Sequence, residues 1–179
     1  MLQATLDEPL LEIDLRGLMG QSWLGDRCQL QFETKILFVA QGRFRETPSM
    51  IELWAEMMVG REDQSASPRR LGRAVLSEPA PFAPPDTQIQ RQTNDPWVRH
   101  SDRLVVDLDY RQLDEIEEMR RGEALAFWCS LGGLVHHKGE VARLQPANHR
   151  LRYRVGESDW VGLLSQMGYG RYLTSRSRS

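Results

Sequence analysis

From Arg103 to Asp109 the chain alternates, with Leu104, Val106 and Leu108 on one face and Arg103, Val105, Asp107 and Asp109 on the other. That period of two marks a half-buried strand. The period then changes. Tyr110, Leu113, Ile116 and Met119 recur every third residue, separated by Asp114, Glu115, Glu117 and Glu118, which predicts an amphipathic helix of about three turns. Asp109 suits its N-cap, Arg120 and Arg121 its last turn, and Gly122 its end. Ala124 to Leu131 is apolar at nearly every position and reads as a central strand covered on both faces. This strand–helix–strand unit over residues 103–135 is the one around which the remainder is organised.

The same alternation recurs along the chain. Leu10 to Leu18 places Leu11, Ile13 and Leu15 inward, after which Gly17 and Gly20 loosen the backbone through Asp26. Cys28 to Ala40 alternates throughout and predicts either two strands or one long strand bent near Thr34. Met50 to Val59 mixes good helix formers with strict alternation, and the alternation favours a strand. Leu71 to Ser77 is a further strand, with Gly60 to Arg70 as the intervening loop. Five of the nine prolines (Pro79, Pro81, Pro84, Pro85, Pro96) fall in residues 79–102, so this stretch reads as a long excursion rather than a central strand. After Leu131, Gly132 and Gly133 break the strand, residues 136–139 turn, and Glu140 to Leu144 forms a short strand. His149 to Val155 alternates again, Ser158 caps a helix carrying Trp160, Leu163, Leu164 and Met167, and Tyr169 to Thr174 reads as a last strand. The expected architecture is mainly β: an antiparallel sandwich or open barrel with two short helices, one domain over residues 1–174, and a flexible tail at 175–179.

Composition narrows the class. A chain of 179 residues with 40% hydrophobic and 27% charged residues buries enough surface to fold without disulfides or metal. A formal charge of −2 gives no global attraction to nucleic acid or anionic membrane. Cys28 and Cys129 lie in apolar strand patterns and read as buried free thiols of a reducing compartment. There is no run of about 20 apolar residues and no basic, then apolar, leader at the start. The expectation is a cytoplasmic protein without a membrane partner.

Candidate chemistry is sparse. Adjacent His136 and His137 point opposite ways on extended backbone and complete no metal-ligand spacing, and His100 and His149 are isolated. Cys129 sits in the most apolar strand, a poor setting for a nucleophile. The carboxylates of residues 114–118 read as a solvated charge run. No Gly-rich phosphate loop or nucleophile elbow is present, so neither an enzyme nor a cofactor is expected. Two features remain for binding. Arg150, Arg152 and Arg154 share one face of one strand, about 7 Å apart, either as a ridge for phosphates or an acidic partner, or facing solvent or paired across strands with Asp107, Asp109 or Glu140. Trp23 and Trp97 fall in loops and Trp54 on the polar side of its strand, where exposed aromatics serve binding; Trp128 and Trp160 have core partners in their patterns.

Two stretches, Leu113-Asp-Glu-Ile-Glu-Glu-Met-Arg-Arg-Gly122 and Ser158-Asp-Trp-Val-Gly-Leu-Leu-Ser-Gln-Met-Gly-Tyr-Gly170, resemble the C-terminal half of a group of uncharacterised bacterial β-rich proteins. Those carry a helix of the form L-x-x-I-E-x-x-R-x-G and a later S-D-W-V helix. The resemblance spans about residues 103–174, and it implies a bacterial or phage-related source and no particular activity. The functional expectation is a non-enzymatic protein-interaction or assembly module with a protein partner or self-association. The alternatives are a carbohydrate- or small-ligand-binding β-sandwich, or a nucleic-acid binder through Arg150, Arg152 and Arg154.

Overall fold

In a computed structural model of the chain, which describes residues 10–23, 25–39, 50–77, 97–137, 139–146 and 150–178, the strands form one sheet. Strands β1 (Leu10–Trp23) and β2 (Arg27–Val39) make one antiparallel hairpin, and β3 (Met50–Arg61) and β4 (Arg69–Leu76) a second. β5 (Trp97–Asp109) lies between β2 and β4 and joins them. β6 (Leu125–His137) pairs with β3 along its whole length. Its other edge is shared by β9 (Arg150–Val155) and β7 (Glu140–Arg143). From β7 the chain steps into β8 (Gln145–Pro146), which pairs in parallel with the start of β1. The sheet thereby returns on itself, and the mainly β, antiparallel architecture is nearly closed into a barrel.

Alternation builds the interior. Leu30 and Phe32 of β2, Ile51, Ala55 and Met57 of β3, Leu104 and Val106 of β5, and Phe127 and Cys129 of β6 are all essentially inaccessible, and Phe32 meets Phe127 edge to face at 5.5 Å. Met50–Arg61 is a strand despite its helix formers, because a strand with partners on both edges satisfies its backbone while its period of two fills the core.

Helix α1 (Tyr110–Arg120) follows β5 directly. Asp109 caps it reciprocally: its carboxylate accepts from the Gln112 N–H at 2.9 Å, and the Gln112 side chain accepts from the Asp109 N–H at 3.0 Å. Arg121 (φ 51°) and Gly122 (φ 86°) turn the chain out through the left-handed region. Helix α2 (Glu157–Gln166) packs against α1 and β1, and α3 (Tyr169–Arg176) returns over α1. The two stretches singled out by the resemblance interlock here. Trp160, wholly buried, donates from Nε1 to Glu117 Oε1 at 2.5 Å, and the same carboxylate accepts from Arg120 at 2.9 and 3.2 Å. That hydrogen bond, ahead of opposing desolvation, holds the Arg120 guanidinium above its ordinary pKa.

Several expectations are corrected. Tyr169 to Thr174 is helical: after Gly168 (φ 73°), Tyr169 and Tyr172, three residues apart, both donate to Asp114 of α1, at 2.7 and 3.1 Å. Arg176 pairs with the same carboxylate at 2.7 Å, so the helix runs two residues into the expected tail, and the described residues hold three helices rather than two. Gly156, not Ser158, caps α2. The glycines of β1 do not end it; the register shifts at Arg16 and pairing resumes to Trp23. The shift between Thr34 and Ile36 is the bend expected in β2. Residues 97–102 belong to β5 rather than to the excursion, since β2 is long enough to pair them and Pro96 precedes the first donor needed. Gly132 and Gly133 lie within β6 and do not break it. The remainder of the excursion, residues 79–96, lies outside the described residues.

Candidate interaction surface

The parity of β6 decides what faces outward. Leu125, Phe127 and Cys129 point into the barrel, so Trp128 and Ser130 point out. The expected cover on both faces holds at Leu125–Phe127, where outward Ala126 is also buried, but not beyond: Trp128 is half-buried on the exterior rather than in the core, and Ser130 is exposed. Strand pairing then sets two rows across β9, β6, β3 and β4. Arg152, Trp128, Met58 and Arg70 form one, and Arg150, Ser130, Glu56 and Arg73 the next. Each row begins and ends in arginine, and rows on one sheet face lie about 7 Å apart. Four guanidinium groups share this patch with one carboxylate, Glu56, which pairs with Arg70 at 2.9 Å. Trp54 starts a third row opposite Gly132.

Two glycines make room for the two indoles. A methyl at Gly132 would stand 2.5 Å from Trp54 Nε1, and one at Gly60 would stand 2.9 Å from Trp128 Cζ3. Trp54 of β3 thus covers a glycine of β6, and Trp128 of β6 covers a glycine of β3. Above Trp54 the Arg73 guanidinium carbon lies 4.2 Å from the ring centroid; above Trp128 that of Arg152 lies at 6.0 Å. The close Arg73 occupies the face that a sugar ring would need.

Beside Trp128 the β3–β4 turn forms one wall of an open groove of about 550 Å³, lined by Gln64, Ser65, Ser67, Pro68, Trp128, Arg150 and Arg152. The turn is tied by the Asp63 carboxylate, which accepts from the Ser65 N–H at 3.0 Å and pairs with Arg61 at 2.7 Å. The Ser65 N–H, then its hydroxyl and Arg61, hold the Asp63 pKa below the ordinary value. Gln64 sits at φ 57°, a left-handed conformation that is costly for a residue with a side chain.

The predicted site residues divide. Arg150, Arg152 and Arg154 are all exposed on the outer face of β9. Arg154 pairs with Glu62 at 2.6 Å rather than with Asp107, Asp109 or Glu140, because β9 borders β6 and the β3–β4 turn, not β5. Arg152 donates to the Glu62 carbonyl at 3.4 Å, and among the described residues Arg150 has no ion-pair partner. Trp54 lies outward as expected. Trp23 and Trp97 close strands at Trp23–Arg27 and Phe38–Trp97 instead of lying in loops; their side chains, like those of His100 and His137 and all of His149, lie outside the described residues. Trp128, Arg73 and the turn were missed; the signal for Trp128 was its place between two inward residues, obscured by the apolar run around it.

Elsewhere, polar groups are already engaged. The acidic run on α1 is not merely solvated: Glu117 holds Trp160 and Arg120, Asp114 holds two tyrosines and Arg176, and Glu115 pairs with Arg69 at 2.6 Å. His136 lies 2.6 Å from Glu52. Among the described residues no three His, Cys, Asp or Glu side chains converge as a metal site, and no helix is long and apolar enough to cross a membrane.

Both thiols are free and buried. Burial, with Asp109 and Asp107 adding, pushes the Cys28 thiol up from 9.0 to about 12, and burial raises Cys129 to about 11. Neither thiol should react with a disulfide reagent at pH 8 until denaturant is added, which absorbance of the released thiolate would read. Because the folded pKa values are raised, the stability contributed by the neutral thiols is complete below pH 9 and is lost as pH climbs from there toward 12. Fast labelling of the folded chain would contradict this placement. Compared with protein-family models, with curated proteins and with solved structures, the chain matches none of them.

Proposed function

We propose that this chain is a non-enzymatic interaction module that engages another macromolecule, as an adaptor or assembly subunit, through the outer face of β3, β4, β6 and β9. The observation that carries the reading is the reciprocal pair of indoles, each seated over a glycine of the neighbouring strand and each beneath a guanidinium on the barrel exterior. Core burial does not require tryptophan there, whereas tryptophan and arginine are the side chains that dominate binding energy at interfaces.

The test compares the tagged full chain with a Trp54→Ala/Trp128→Ala/Arg152→Ala variant in a pull-down from the native host. Light scattering measures self-association alongside. The expected result is a stoichiometric partner or defined oligomer for the parent chain that the variant loses while keeping its unfolding midpoint. Equal recovery and equal mass for both proteins would show that this face is not the interface.

A further inference from the structure

Resting on that reading of the outer face, we infer that its partner is a single-stranded nucleic acid, with a base stacked on Trp128 and the backbone phosphates on Arg150 and Arg152. The charge of the patch selects a polyanion: the two rows hold four arginines and one glutamate, although the whole chain carries −2. Arg150 and Arg152 project from alternate positions of one strand, so their charges repeat about every 7 Å, a linear array that suits a chain of phosphates better than a single anion.

The groove supplies what a bare polyanion would not use. Trp128 forms its floor, fixed over Gly60, with its guanidinium cap at 6.0 Å rather than in close contact. Ser65, Ser67 and Gln64 add hydroxyl and amide groups along one wall, and Gln64 is held in a strained left-handed conformation at that lip. Base–aromatic stacking needs an unpaired base, and a positively charged groove with an aromatic platform is the usual form of a single-strand site. A duplex would instead require a helix or ribbon projecting into a groove. An acidic peptide would meet the arginines and leave the indole unused. The acids facing the groove are Asp63, tied to Arg61, and Glu62, tied to Arg154, so neither opposes a phosphate with a free charge.

The probe is a labelled oligothymidylate of about 16 nucleotides, titrated with the full chain by fluorescence anisotropy and tryptophan quenching at increasing salt. Saturable binding is expected, with log affinity falling against log salt by about 0.7 per phosphate neutralised. Trp128→Ala should weaken binding about 5- to 160-fold, Trp128→Phe should restore much of it, and Arg150→Ala or Arg152→Ala should each flatten the salt slope by about 0.7. The unfolding midpoint of each variant confirms that it folds. A duplex of the same length binding equally well, polyglutamate competing equally well, or Trp128→Ala binding unchanged would each overturn the assignment. If the oligonucleotide fails while the face variant still loses a nuclease-resistant partner from lysate, only the nucleic-acid assignment falls. If the oligonucleotide fails and the lysate partner is also retained by the variant, the interaction face falls with it.

Discussion

Trp160→Ala is expected to remove about 3–5 kcal/mol of unfolding free energy, a large share of the ~5–15 kcal/mol typical of a whole domain. Trp160 is wholly buried and tilts against Phe127 at 6.1 Å, so its loss opens a cavity where α2 meets the barrel. It also strips a donor from Glu117, the carboxylate that compensates Arg120, which is only 6% exposed. Trp160→Phe, which keeps most of the volume but not the N–H, should cost less, and the difference between the two variants separates packing from the hydrogen bond. Guanidinium unfolding measures both. A loss below about 1 kcal/mol for Trp160→Ala would mean that α2 is not seated as described.

Gly133→Ala is expected to destabilise the fold by about 1–3 kcal/mol or more. An added methyl would lie 2.6 Å from the Glu52 carbonyl oxygen and 2.6 Å from Leu144 Cδ1. The leucine can shift, but the carbonyl belongs to β3 and moves only if the strands part. Gly162 in α2 has nothing within 4 Å of such a methyl, so Gly162→Ala should stabilise by about 0.5–1 kcal/mol. Opposite signs in the same unfolding assay are the expected outcome. Equal stabilities for Gly133→Ala and the parent chain would rule out the close approach of β3 and β6.

These effects fall where the linear pattern was least informative. The two glycines read as a strand break because glycine lacks a side chain to pack and is depleted in strands. Within the barrel, each answers a bulky neighbour across the sheet, Trp54 at Gly132 and Leu144 at Gly133. Tyr169 to Thr174 read as a strand because of its aromatics, but Asp114, more than fifty residues earlier, offered both tyrosines an acceptor on a helix. The arginine ridge on β9 was legible as a ridge; its neighbours were not.

Alternation is enough to assign the inward faces of β2, β3 and β5, the strand character of residues 50–59, and α1 with its Asp109 cap. Each depends on neighbours within a few positions, and alternation sorts one face from the other without knowledge of the partner strand. Pairing and packing across the fold were needed to close the sheet nearly into a barrel, to set Trp128 with Arg150 and Arg152 beside the β3–β4 turn, and to gather Trp160 and Arg120 on one carboxylate of α1. Those relations reach residues as far as 90 positions apart, and strand register, which sets those across the sheet, is fixed by pairing between strands rather than by any local preference.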